Sequence, residues 1–259
     1  MPAELKSASH GRTMELTISN PEFRNALGPE IYVAGIEALN AADANPEVRS
    51  VVFTGEGKTF CAGGNLQRLL DNRSRPPEVQ WESIEALHSW IEAIRTFPKP
   101  VIAAVEGAAA GAGFSLALAC DFIVASDDAV FVMAYSNVAL SPDGGGTWAL
   151  TRALPRQLVS ELLMCGERID AARLRQFGVV NRVTPPGHAL EEALKLAAQL
   201  NERAPNAMAS VKELMNDAAV APLHTQLASE RSHFVKNLHH ANGGIGIEAF
   251  LAKKPPRFE

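Results

Sequence analysis

The sequence predicts an α/β core followed by a helical appendage. Three observations predict it. Short apolar runs, each closed by a turn, recur over the first two-thirds of the chain. Segments of helical periodicity fill the gaps between them. Beyond about residue 145 the strand signals thin to a single clear one, and the last third is mainly helical.

The elements follow in order. "TMELTIS" (13–19) alternates apolar and polar residues and runs into Asn20-Pro21, which predicts a strand and a turn. Pro29 opens a helix with Tyr32, Ile36 and Leu39 on one face. "SVVFTG" (50–55) is a short buried strand ended by Gly55 and Gly57. Ile84, Leu87, Ile91 and Ile94 follow the 3-4-3 spacing of an amphipathic helix that must stop at Pro98. "PVIAAVEG" (100–107) predicts another buried strand, "FSLALAC" after Gly113 a buried helix, and "DFIVAS" (121–126) a further strand. "VVNRVT" (179–184) is the last strand. Leu190, Ala193, Leu194, Ala197 and Leu200 mark a helix. Helical sequence from Asn206 onward is expected to break near Pro222 and at Gly243-Gly244.

A chain of 259 residues, 47% of them apolar, can bury a substantial core. The net charge of −5 argues against electrostatic binding of nucleic acid. Cys61, Cys120 and Cys165 are odd in number, far apart and without C-x-x-C spacing, which fits neither a disulfide framework nor a zinc site. His233, His239 and His240 have no carboxylate or cysteine at ligand spacing and read as a solvated helix face. The first residues lack an apolar signal core, and the most apolar stretch is interrupted by Glu106 and several glycines. A cytoplasmic enzyme without a metal is the expectation.

Two glycine-rich turns follow two buried strands: "TFCAGGNL" (59–66) and "GAAAGAGFSLALA" (107–119). Neither is a phosphate loop, because no lysine follows. Small residues let a ligand approach the backbone, and the first N–H groups of a helix point outward. Two such turns side by side would aim two N–H donors at one oxygen, the geometry of an oxyanion hole. Tight helix–sheet packing is the other reading of the same glycines.

"NPEFRNAL", "FCAGGNL", "KPVIAAVEGAAAGAGFSLALACDFIVAS", "PDGGGTWALTR", "FGVVNRV" and "AFLAKKPPRF" stand in the order and spacing of the crotonase family of enoyl-CoA hydratases and isomerases. The resemblance runs from about residue 12 to the end. It implies a spiral of ββα units over residues 1–200 carrying an acyl-CoA site, and a helical oligomerisation region over 201–259 that builds homotrimers or hexamers. It also implies an acyl-CoA thioester substrate, with coenzyme A as part of that substrate and no separate cofactor. By position, the oxyanion donors are the N–H groups of Gly64 and Ala112. Ala112 stands where glycine is usual and keeps the N–H, provided its φ accommodates a methyl group. Asn65 stands where aspartate is common, Ala62 lies two residues before the first donor, and both are expected substrate contacts, as are Ser115 and Tyr135. Arg24 matches a basic residue near the CoA phosphates, or is an exposed surface arginine. Lys253 and Lys254 match a C-terminal basic pair that reaches the nucleotide, or form a solvated tail.

The two glutamates of family hydratases are replaced here by Ser115 and Tyr135. Neither side chain is a general base near neutral pH without an activating partner. Asp143 follows Pro142 at a position where isomerase-type members carry aspartate. One carboxylate suffices for an allylic shift, since it removes a proton from one carbon and returns it to another. Apolar surroundings would raise its pKa and strengthen it as a base. Alternatively, Asp143 is the N-cap of the helix containing Trp148 and Leu150. Three functions are open at this point: isomerisation of an enoyl-CoA by Asp143, hydration by an atypical set such as Tyr135 with Asp143, or acyl-CoA or RNA binding without catalysis. Met133, Tyr135, Trp81 and Trp90 are candidate pocket walls.

Overall fold

Strand β1 (Glu4–His10) forms an antiparallel hairpin with β2 (Thr13–Ser19). From β2 onward the main sheet is parallel: β3 (Ser50–Gly55), β4 (Val101–Val105), β6 (Phe122–Ser126) and β9 (Arg182–Thr184) pair in that order. A second, three-stranded sheet joins β5 (Ala108–Ala110), β7 (Val130–Val132) and β8 (Arg168–Asp170). These positions come from a computed structural model that describes residues 3–259.

The two sheets arise from one repeated move. The chain runs through a main-sheet strand, turns, adds a short strand to the second sheet and leaves through a helix. β4, β5 and α4 (Ala112–Ala119) are the clearest copy. The remaining helices are α1 (Pro29–Ala44), α2 (Leu66–Asn72), α3 (Pro77–Thr96), α5 (Gly146–Ala153), α6 (Arg156–Met164), α7 (Ala171–Gln176), α8 (Ala189–Asn201), α9 (Pro205–Ala218), α10 (Leu223–Leu238) and α11 (Ala241–Leu251).

The continuous apolar runs of β3, β4 and β6 are needed because both sheet faces are covered. Val51, Phe53, Val101, Ala103, Val105, Ile123 and Ala125 face the main core. The alternate residues Val52, Ile102, Ala104 and Val124 pack instead against Ala189, Ala193, Leu196 and Ala197 of α8. Trp90 of α3 is fully buried in the main core with an edge-on contact to Phe53, so it is not a pocket wall, while Trp81 is exposed.

Four short or exposed strands escape the sequence reading. β1 is almost wholly exposed and therefore shows no apolar alternation. β5, β7 and β8 have three residues each, too few for a period to register. The expected break at Gly243-Gly244 does not occur, because both glycines lie inside α11 and the chain turns at His239-His240. The histidines correspondingly form no single solvated face. His240 caps α11 through Nδ1, which accepts the Asn242 N–H at 3.1 Å, whereas His233 is largely buried with a side chain 16% exposed. All three cysteines are free. No helix among the described residues is long and apolar enough to cross a membrane.

Candidate active site

The two glycine turns are fastened together before either reaches its helix. Phe60 N–H donates to Glu106 O at 2.8 Å, Cys61 N–H to Ala108 O at 3.0 Å, and Ala110 N–H returns to Cys61 O at 2.9 Å. Residues after β3 thus run beside β5. Gly63 has φ +92°, and a β-carbon there would stand 2.7 Å from Ala110 O and 3.4 Å from Ala112 N. Only glycine permits that approach. Gly64 comes next in the chain and Ala112 opens α4, so the two amides lie on adjacent strands of backbone. Among the described residues neither amide has a carbonyl or side-chain acceptor within hydrogen-bonding geometry. Ala112 has a negative φ, so its methyl group is accommodated, and its N–H is one of the unsatisfied donors at a helix start.

The flanking residues hold this frame. Ala62 N–H donates to Arg24 O at 3.1 Å. Arg24 and Asn25 both adopt left-handed backbone, and the buried Asn25 side chain donates to Glu56 O at 2.9 Å and to Thr59 O at 2.6 Å. That network seats the Arg24 loop, while the arginine side chain itself is exposed. Asn65 is the N-cap of α2, its Oδ1 accepting the Arg68 N–H at 3.1 Å.

Asp143 closes the third side. It is half-buried, and the turn behind it, Gly144-Gly145, has φ +59° and +76°. Its Oδ1 accepts the Tyr135 phenol O–H at 2.6 Å. Its backbone carbonyl accepts the Ser115 hydroxyl at 2.9 Å. The α5 N-cap is Gly145, without a side-chain cap, so the capping alternative for Asp143 is overturned: the carboxylate is turned toward Tyr135 instead. The Tyr135 oxygen lies 3.5 Å from the position of a β-carbon on Gly111, the residue before Ala112. The carboxylate, the phenol and the start of α4 therefore form one contiguous cluster.

Burial raises the Asp143 pKa, against the opposing pull of the Tyr135 hydrogen bond and the nearby His88 imidazole. Burial and the adjacent Asp143 push the Tyr135 phenol well up, so it remains a donor. Cys61 beside the first turn is buried and its thiol is pushed up to about 12, as befits a packing residue rather than a nucleophile.

A family model described as enoyl-CoA hydratase/isomerase matches residues 10–259. The chain belongs to the enoyl-CoA hydratase/isomerase family. A solved enoyl-CoA hydratase from Polaromonas sp. JS666 superposes on this hydratase/isomerase-family protein with TM-score 0.98 at 69% identity, covering 99% of this chain and 100% of that one. The 1,2-epoxyphenylacetyl-CoA isomerase of Escherichia coli K12 is 33% identical over 95% of this chain and 94% of its own length. The 2,3-dehydroadipyl-CoA hydratase of the same strain is 33% identical over 99% of both chains. The crotonase-like α/β spiral expected from the sequence is the fold observed.

Within this family member the structure gathers Gly64, Ala112, Ser115, Tyr135 and Asp143 into one place, with Ala62 and Asn65 alongside. Lys253 and Lys254 stand exposed at the end of α11, and no side-chain hydrogen bond or ion pair joins them to that cluster. Sequence reasoning missed Asn25 and His88. His88 shares the α3 face of Ile84 and Ile91, and a polar residue in an otherwise apolar stripe was the available signal.

Proposed function

We propose that the protein isomerises an enoyl-CoA thioester, moving the double bond into conjugation with the thioester carbonyl. The observation that carries the reading is a half-buried carboxylate, Asp143, hydrogen-bonded to Tyr135 beside the opening of α4. Asp143 takes a proton from the carbon next to the thioester carbonyl. The electron pair moves through that carbon onto the carbonyl oxygen and forms a dienolate. The Gly64 and Ala112 N–H groups bind the negative oxygen, each preorganised donor contributing about 3–4 kcal/mol. Asp143 then returns the proton to the far carbon of the allylic unit. Nothing is gained or lost overall, so the chemistry calls for no redox group or metal, and coenzyme A enters with the substrate.

The test is Asp143→Asn assayed with a 3-enoyl-CoA. Retention of isomerase activity would remove Asp143 from its role. Hydration is the second reading, favoured by the short Tyr135–Asp143 hydrogen bond, which could serve as an acid–base pair, and by the Polaromonas relative's description as a hydratase. Loss of the conjugated thioester absorbance of crotonyl-CoA would identify it. Binding of acyl-CoA with turnover of neither substrate would leave a non-catalytic role. The same proposal includes a homotrimer or hexamer: Phe234, Phe250 and Leu251 of α10 and α11 are 69%, 83% and 76% exposed in a single chain. Sedimentation velocity reports that state.

A further inference from the structure

Asp143 is held from two directions, and the two holds differ in kind. Ser115 grips the main chain: its hydroxyl donates to the Asp143 carbonyl oxygen at 2.9 Å. Tyr135 grips the functional group: its phenol donates to Oδ1 at 2.6 Å. Among the described residues no other side chain hydrogen-bonds to this carboxylate. The phenol is itself fixed. Its ring lies over Gly111, with Cζ and the hydroxyl oxygen each 3.5 Å from where a β-carbon would be. Gly111 has φ +50°, and its N–H donates to Val132 O at 2.9 Å, so the ring rests on backbone locked into the second sheet.

We infer that Tyr135 is a positioning residue for the proton transfer: its O–H fastens Oδ1 of Asp143 and leaves Oδ2 as the one oxygen that carries the proton along the substrate. The inference rests on the proposed role of Asp143 and adds to it. A carboxylate free to rotate offers either oxygen in any orientation. One tied at a single oxygen presents the other in a fixed direction, which matters when the same group must reach two carbons in turn. The arrangement also assigns the phenol proton a use, so Tyr135 is not available as a hydrogen-bond donor to the substrate while the bond is made.

The charged and titratable groups that Asp143 faces are Tyr135 from the loop after β7 and His88 from α3; Tyr32 of α1 also feels its charge. The Tyr135 bond favours the ionised carboxylate. Tyr135→Phe keeps the ring and removes the donor. The expected result is a fall in kcat of roughly tenfold or more, with KM changed less than about threefold. The acidic limb of the pH profile is expected to move to higher pH. Ser115→Ala should move that limb less than Y135F does, because it loses a bond to the main chain. Thermal unfolding checks that both variants fold. Should Y135F not fold, replacing both tyrosines of the chain by 3-fluorotyrosine makes the phenol a stronger donor and should move the limb the opposite way. A pH limb unmoved in Y135F, or moved equally in S115A, overturns the inference. Activity retained in D143N overturns the underlying reading instead.

Discussion

Gly113 lies directly against Cys61: a β-carbon on Gly113 would stand 2.5 Å from the Cys61 carbonyl oxygen and 2.8 Å from its sulfur. This contact lets α4 start beside the first turn, and so brings Ala112 next to Gly63 and Gly64. Gly113→Ala must push the two segments apart or shift the helix. The expected outcome is a loss of the proposed isomerase activity of about tenfold or more, from a protein that still folds. Circular dichroism and steady-state rates on the same preparation decide it.

Ala112 offers a cleaner test of the second donor. It is the first residue of α4, where proline is tolerated because its missing N–H has no helical partner. Ala112→Pro deletes the proposed donor and should reduce kcat by about 100-fold or more. Ala112→Gly keeps the N–H and should stay within about threefold of the parent, at a stability cost of about 0.5–1 kcal/mol. Similar rates in the two variants would count against a role for this amide.

Burial raises the Asp143 pKa above its unfolded value, and the linkage sign follows. The stability it contributes is fully present below the ordinary carboxylate pKa of about 3.9 and is lost as pH rises through the folded value. Asp143→Asn should therefore unfold at a higher temperature than the parent at pH 7–8. The gain should shrink toward zero below about pH 4. Melting curves across that range test it, and a gain that grows on acidification has the wrong sign.

Away from the site, Lys212 of α9 reaches into the core to meet Asp121. Its Nζ lies 2.7 Å from Asp121 Oδ2 and donates to Ile94 O at 3.0 Å, and Asp121 Oδ2 also accepts the Val101 N–H at 2.8 Å. Lys212→Met leaves a buried carboxylate without this partner and should cost about 3–5 kcal/mol by urea denaturation. The double variant with Asp121→Asn should recover part of that loss, since the uncompensated charge is gone.

The sequence by itself determined the alternating α/β core, the helical last third, and the two glycine turns that follow β3 and β4. These are properties of local periodicity and of residues without side chains, and a chain displays them before it folds. β2 and β3 fell on the expected residues because "TMELTIS" and "SVVFTG" are apolar where the sheet is buried. The sequence pointed to Asp143 as the catalytic carboxylate, but what holds that carboxylate was not legible, since "PDGGGTW" by itself is also compatible with a helix cap. Only the tertiary structure turned it to Tyr135, eight residues away, and put Ser115 under its backbone. The second sheet was invisible for a related reason, since its strands gain their hydrogen bonds from partners distant in sequence and are too short to carry a period. Periodicity is a local record of burial, whereas the meeting of two side chains depends on where every intervening element packs.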